Sequence, residues 1–301
     1  MPNGSPVIAV ASGKGGTGKT TLAVSLALSW NAGAGQTSAP APLFLDCDVE
    51  APNAHLFLKP QFSQRREVGL LIPQVDPARC TLCGRCAEVC QFQAIAVLGQ
   101  KALMMPKMCH GCGSCAALCP EGALSEQLQT MGVLEAGPAI AGIQFGRGKL
   151  NAGEPMAVPV IRELLGWQRP APGQAVIIDA PPGASCPVVA AVRQADFLLL
   201  VTEATPFGLH DLQAAHTLAC ELGPPCAVVV NRCAAGPAGA FIAEVEAYCQ
   251  AQNLPNWMRI PFTRAIAAGL AQAKPLVAIE PAMRAEFGRL ALRLQQRMGA
   301  Q

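Results

Sequence analysis

Charge is scarce in this chain. Lys and Arg number 22 against 20 Asp and Glu in 301 residues, 14% in all, for a formal net charge of +2. So even a balance supplies no broad field for nucleic acid phosphates or an anionic membrane, and neither is expected as a partner. Long apolar runs are missing too. Stretches such as Phe197 to Val201 reach five or six residues before Pro or a polar residue intervenes, whereas a bilayer span needs about 20. The opening segment, MPNGSPVIAV, has no basic region followed by a long apolar core, so no secretory signal and a cytoplasmic location are expected. There is no low-complexity tail. A hydrophobic content of 51% excludes disorder for most of the chain.

What is plentiful is cysteine, at 14 residues. In a reducing compartment a disulfide framework is not expected, which leaves metal ligation, redox chemistry or packing. Eight of the 14 lie in an internal repeat: CTLCGRCAEVC, Cys80 to Cys90, is matched by CHGCGSCAALCP, Cys109 to Pro120. Each half reads C-x2-C-x2-C-x3-C, the bacterial ferredoxin pattern, in which the fourth Cys of each run serves the other 4Fe-4S cluster. The expected ligand sets are Cys80, Cys83, Cys86 and Cys119 for one cluster and Cys109, Cys112, Cys115 and Cys90 for the second. Cys119 is followed by the usual Pro120, and Cys90 by Gln91. Thiolates also bind Zn2+, but this crowded spacing favours a cuboidal cluster. Gly84, Gly111, Gly113 and Ser114 let N–H groups approach the sulfurs, which helps set a potential.

Around this repeat, buried-strand runs recur at Val7 to Ala11, Leu43 to Leu45, Val176 to Ile178, Phe197 to Val201 and Ala227 to Val230. Helical patterns fall between several of them, as at Leu22, Ala23, Leu26, Ala27 and Trp30. Strands alternating with helices predict an α/β fold, a mostly parallel sheet covered by helices on both faces. The stretch from 76 to 126 breaks the pattern. It reads as a small α+β module inserted between two strands of a larger domain made of residues 1–75 and 127–301. Gly- and Pro-rich segments at 31–42 and 137–155 predict loops, the second a mobile element near the active site. Met283, Phe287, Leu290 and Leu294 form an apolar stripe on a last helix, expected to dock on the sheet rather than on a membrane.

Directly after the first strand comes GKGGTGKT, Gly13 to Thr20. It satisfies G-x4-G-K-[ST] and precedes an expected amphipathic helix, the context a phosphate-binding loop requires. In that reading Gly13, Gly15, Gly16, Thr17, Gly18, Lys19, Thr20 and Thr21 wrap the phosphates. Lys19 reaches the β and γ oxygens, and the Thr20 hydroxyl ligates Mg2+.

With Lys14 included, KGGTGKT resembles the deviant Walker A motif of the MinD/ParA/nitrogenase iron-protein superfamily of P-loop ATPases. The resemblance implies that Lys14 crosses a dimer interface to the partner's nucleotide. It extends to DCDVEAPN, Asp46 to Asn53, and implies that Asp48 polarises the attacking water and contacts Mg2+. In VIIDAPPG it implies that Asp179 holds Mg2+ through water. In VVVNRC it implies that Asn231, with Arg232 beside it, reads adenine while Arg259 to Phe262, including Pro261, closes over the base. Plain readings stay open: Asp46 and Asp48 as structural strand-end carboxylates and Asn231 as a turn cap. TEATPFGLHDL, Thr202 to Leu212, also resembles the superfamily, and His210 within it is expected to pack or cap rather than catalyse.

Over nearly its whole length the chain resembles MinD-superfamily ATPases with an inserted ferredoxin domain. The resemblance implies ATP, Mg2+ and two 4Fe-4S clusters as cofactors. It also implies an ATP-dependent homodimer, or a heterodimer with a paralogue, and a redox or cluster-accepting client protein. Three functions follow from it: ATP-gated electron transfer to a partner, ATP-driven assembly or carriage of iron-sulfur or heterometal clusters, and, less well supported, ParA/MinD-type positioning. Cys186, seven residues after Asp179 in DAPPGASC, is the one spare cysteine with an implied role, bridging a metal or cluster across a dimer. Cys47, Cys220, Cys226, Cys233 and Cys249 read as small buried hydrophobes. A C-terminal C-x2-C of the kind Mrp-type carriers use is lacking.

Overall fold

A computed structural model describes residues 4–32, 40–233 and 241–299. The strands are β1 (Val7–Ala11), β2 (Leu43–Asp46), β3 (Gln64–Val75), β4 (Ile95–Leu98), β5 (Lys101–Met104), β6 (Leu124–Pro138), β7 (Gln144–Leu150), β8 (Val176–Asp179), β9 (Phe197–Glu203), β10 (Cys226–Cys233) and β11 (Asn256–Pro261). The α-helices are α1 (Lys19–Ser29), α2 (His55–Leu58), α3 (Arg85–Glu88), α4 (Ser114–Ala117), α5 (Val158–Trp167), α6 (Cys186–Val192), α7 (Pro206–Leu222), α8 (Ile242–Ala251), α9 (Arg264–Ala271), α10 (Leu276–Ile279) and α11 (Pro281–Gly299).

Nine strands form one sheet in the order β11-β10-β9-β1-β8-β2-β7-β6-β3. Pairing is parallel from β11 through β7, then antiparallel for β6 and β3. The central strands are apolar on both sides because both faces are covered. In β1, Val7, Ala9 and Ala11 face the core beneath α5, α6, α7 and α8, whereas Ile8 and Val10 face the layer that contains α1 and α11. Helix α1 is buried nearly all round, so the amphipathic helix expected there is a core helix, sandwiched between the sheet and α11. The stripe Met283, Phe287, Leu290 and Leu294 is buried in the same layer, and Gln295 Nε2 donates to Trp30 O at 3.1 Å. The last helix therefore docks on the sheet as its sequence implied. No described helix is long and apolar enough to cross a membrane.

The loop expected at 137–155 is corrected. That stretch holds the end of β6, a short turn at Ile140–Gly142, and β7, which adds to the main sheet beside β2. Gly137, Gly146 and Gly148 report tight packing rather than a loop: a Cβ on Gly148 would lie 2.7 Å from Val49 and 2.8 Å from Val160. The other predicted loop, 31–42, lies largely outside the described residues.

Strands β3 and β6 pair as a long antiparallel ribbon from Gln64↔Ala136 to Val75↔Leu124, with one register shift between Val68 and Gly69. At its far end sit the paired β4 and β5 and the single-turn helices α3 and α4. The cysteine repeat is thus carried on a ribbon continuous with the main sheet.

Candidate nucleotide site and cysteine module

The Gly-rich loop joins β1 to α1 at the C-terminal edge of the sheet, where β1 is flanked by β8 and β9. Two of its glycines are required by close approach. A Cβ on Gly13 would stand 2.1 Å from the Asp211 carbonyl oxygen, and one on Gly18 2.1 Å from Asn231 Nδ2. Gly18 also has φ 99°, a left-handed value that a side chain would strain. Among the described residues no acceptor takes the N–H groups of Gly15, Gly16, Thr17 or Gly18. Unclaimed donors curled at a helix N-terminus fit a phosphate chain.

Lys19 is buried at the base of the loop and its Nζ donates to Lys14 O at 3.5 Å. Burial lowers its pKa, opposed by the charges of Asp179 and Asp48. Lys14 itself reaches Asp211 Oδ2 at 3.8 Å. Ser12 Oγ donates to Lys14 O at 2.7 Å, shaping the loop from within.

Two carboxylates, Asp179 at the end of β8 and Asp48 just past β2, act on this lysine, and a third, Asp46 at the end of β2, interacts with both of them. Asp179 is fully buried, with neither oxygen hydrogen-bonded in the described structure. Burial lifts its pKa to about 7; the Thr20 hydroxyl, short of hydrogen-bond geometry, and Lys19 pull it down, and Asp48 pushes it up. Asp48 is raised by burial and lowered by Lys19. Asp46 is raised well above the carboxylate range, first by burial and then by Asp179. Its oxygens accept from Ala54 N at 3.1 Å and Asp48 N at 3.3 Å, so it orders the turn that presents Asp48. An orphaned buried carboxylate beside Thr20 and Asp48 is a fit for a hydrated divalent cation.

Asn231 is buried and braces the loop: Nδ2 donates to Thr17 O at 2.7 Å and Oδ1 accepts from Arg232 N at 2.8 Å. Arg232 pairs with Glu203 at 2.7 Å. Pro261 ends β11, and Phe262 beyond it is 55% exposed. His210 is exposed on α7, neither packed nor capping as the sequence implied; the Thr205 hydroxyl caps that helix by accepting from Gly208 N at 3.0 Å.

In the module the eight cysteines separate into the two expected sets. Cys80, Cys83, Cys86 and Cys119 line one cavity with Val75, Val97 and Leu124. Cys90, Cys109, Cys112 and Cys115 line another with Phe92, Ile95 and Met104. Among the described residues no three Cys, His, Asp or Glu side chains converge on a point that would hold a single ion. Four thiols spread around an apolar cavity suit a cuboidal cluster better than lone Zn2+. Backbone donors already point at sulfur: Ala94 N to Cys90 at 3.2 Å, Gly111 N to Cys109 at 3.4 Å and Ala123 N to Cys119 at 3.3 Å. Burial raises the Cys86, Cys109 and Cys115 thiols, while the Ser114 hydroxyl contact lowers Cys112.

Of the remaining cysteines, Cys47 and Cys249 are buried, Cys226 and Cys233 are half-buried, and Cys186 is exposed at the start of α6. Cys220 is exposed, against expectation. It lies on the outer side of the last turns of α7, where Ala219 takes the core-facing position. Sequence reasoning also missed its neighbour His216, whose i, i+4 spacing from Cys220 on a helix was the available signal.

A 4Fe-4S dicluster domain model matches residues 72–120. Uncharacterized protein MJ0578 of Methanocaldococcus jannaschii is 33% identical over 204 residues, 68% of this chain and 70% of the relative. Uncharacterized protein MJ0579 of the same organism is 28% identical over 227 residues, 75% of this chain and 80% of the relative. Among solved structures, the septum site-determining protein MinD of Pyrococcus horikoshii, complexed with Mg-ADP, matches with a TM-score of 0.57 at 16% identity, covering 98% of both chains. The chain belongs to the family of MJ0578, and it joins a MinD/ParA-type P-loop ATPase fold to a 4Fe-4S dicluster domain.

Proposed function

We propose that this protein is an ATP-hydrolysing iron-sulfur protein in which nucleotide state gates electron transfer to a partner protein. The observation that carries the coupling is a chain of direct contacts between the two sites. Val49, next to Asp48, accepts a hydrogen bond from Leu150 N at 2.8 Å, and Asn151 N donates to Met131 O at 2.8 Å. Strand β7 is thereby tied to both the Asp48 turn and β6, and β6 with β3 leads to the cysteines. A shift of the Asp48 turn on loss of the γ-phosphate has a rigid route to the module.

In this reading Gly13, Gly15, Gly16, Thr17, Gly18 and Thr21 hold the phosphates, and Lys19 neutralises charge on the β and γ oxygens. Thr20, Asp48 and Asp179 hold Mg2+, which supplies charge stabilisation to phosphoryl transfer. Asp48 orients water, and Lys14 leaves Asp211 to meet the nucleotide of a second copy in an ATP-dependent dimer. Asn231, Arg232 and Pro261 frame the base. The cysteine sets hold two 4Fe-4S clusters in a module of residues 76–126, whose one-electron chemistry serves the partner.

A second reading, cluster assembly or carriage, is favoured by the exposed thiol of Cys186, seven residues beyond Asp179 and close to any change there. One anaerobic experiment separates the two: reduce the protein, then record EPR spectra and midpoint potentials with ATP and with ADP, and repeat with Cys186→Ala. A nucleotide-dependent potential with iron retained supports gated electron transfer. ATP-dependent loss of iron to an apo-acceptor, abolished in the Cys186 variant, supports carriage. Spectra and iron content indifferent to nucleotide would overturn the coupling itself.

A further inference from the structure

At the opposite edge of the sheet from the nucleotide loop, the N-terminal ends of β9, β10 and β11 and the last turns of α7 border a groove of about 480 Å3. Neither the P-loop nor the module contributes to it. Cys220, Cys226, His216, Trp257 and Arg297 are among its walls. His216 and Cys220 on its wall belong to a polar relay that Tyr248 of α8 completes. His216 Nε2 is 3.5 Å from Cys220 Sγ, and His216 Nδ1 is 2.9 Å from Tyr248 Oη. The tyrosine ring meets the imidazole edge-on at 5.9 Å, fixing its plane. A nucleophile, a base within reach of it and a group that orients the base is the arrangement that activates a thiol.

We propose that Cys220 is a thiol-modification site that forms a mixed disulfide with a small, carboxylate-bearing disulfide seated in this groove. The Cys220 S–H proton passes to His216 Nε2. The resulting thiolate attacks one sulfur of the disulfide, a Cys220–sulfur bond forms, the S–S bond of the reagent breaks, and the leaving thiolate takes the proton from His216. One protein thiol is oxidised, one half of the disulfide is reduced, and no other electron donor is involved.

Three features support the assignment. Burial lowers the pKa of His216, so its imidazole is neutral and able to accept at neutral pH. Arg297 on the groove wall has no ion pair among the described residues and so offers a site for a carboxylate. Cys226 shares the groove, but burial raises its thiol to about 11. That disfavours the thiolate that would displace the adduct.

The test uses the iron-loaded protein without oxygen, oxidised glutathione as the probe, and peptide mass spectrometry over time. Cys220 should gain a single adduct at least tenfold faster than Cys186, the other exposed thiol outside the module, and His216→Gln should abolish that advantage while leaving the Cys186 rate unchanged. The adduct should persist until an external thiol is added. Equal rates at Cys220 and Cys186 in the unsubstituted protein would overturn the proposal without recourse to any variant. So would an undiminished Cys220 rate in His216→Gln, or an internal Cys220–Cys226 disulfide in place of the adduct.

Discussion

The two ends of the β2–β7–β6–β3 ribbon are stabilised in opposite ways. The phosphate loop is held by the protein itself: Asn231 braces Thr17, Ser12 braces Lys14, and Asp46 orders the turn before Ala54. All of this sits at the C-terminal edge of a nine-stranded sheet. The cysteine module has helices of four residues and strands of four residues, and its buried apolar residues among those described are few: Ala94, Ile95, Cys109, Cys115 and Ala123, joined by Ile72 of β3. Where a core would be expected it has two thiol-lined cavities. The loop is preorganised for its ligand, whereas the module has little apolar core of its own, so that clusters held by its thiols would serve as one.

The largest expected effect breaks the comparison at the module. Stripping iron with a chelator under anaerobic conditions should speed amide exchange across residues 78–122 by on the order of 1,000-fold, because ligand binding there is folding free energy. Amides of β1 and β8 should keep their protection. Hydrogen exchange read by mass spectrometry checks both halves at once. Retained protection in the iron-free module would show that its few apolar contacts suffice.

At the other end the difference is electrostatic, and its sign depends on whether a cation is present. Asp179 has a folded pKa raised from 3.8 to about 7 by burial. Its contribution to stability is intact below pH 3.8 and is lost as pH rises through 7. In protein free of Mg2+ and nucleotide, Asp179→Asn should therefore stabilise at pH 8 by up to about 4 kcal/mol, and the gain should fade toward pH 4. Urea titrations at the two pH values measure it. With Mg-ATP the order should reverse, since the variant loses the cation-linked stabilisation. Equal stabilities at pH 8 would mean that this carboxylate is not held at a cost.

Most of this contrast was legible in the sequence. The cysteine spacing anticipated the two groups that line separate cavities, and Gly13 to Thr20 marked the strand-to-helix loop, because each motif is local and its geometry follows from residue type. What escaped was nonlocal. Gly146 and Gly148 read as loop glycines, yet they admit Leu45, Val49 and Val160 to close packing inside β7. The length of β3 and β6 was hidden because their outer faces carry polar residues such as Gln127 and Gln129 on an uncovered hairpin. Asn231 read as a base contact, and its bond to Thr17 spans 214 residues. The Cys220–His216–Tyr248 relay needs α7 and α8 side by side, and no single segment announces it.

The smallest effect sharpens the link between the ends. Arg147 on β7 lies opposite Asp46 on one side and Glu135 on the other. Its guanidinium donates twice to Glu135 Oε2, at 2.9 and 2.6 Å, and rests over the Phe62 ring at 4.5 Å. Both members of the pair are largely shielded, at 13% and 14% side-chain exposure, whereas Arg65, the other partner of Glu135, is 66% exposed. A shielded two-point contact is worth more than an exposed single one. Arg147→Gln should thus cost about 1–2 kcal/mol in urea unfolding and Arg65→Gln no more than about 0.5 kcal/mol. Because Arg147 bridges the nucleotide-side strand and the hairpin, its loss should also weaken the ATP-dependent change in cluster potential, with Arg65→Gln leaving that change intact. If the two variants behave alike, the ribbon is not latched at Arg147, and the contacts at Val49 and Asn151 must carry the coupling alone.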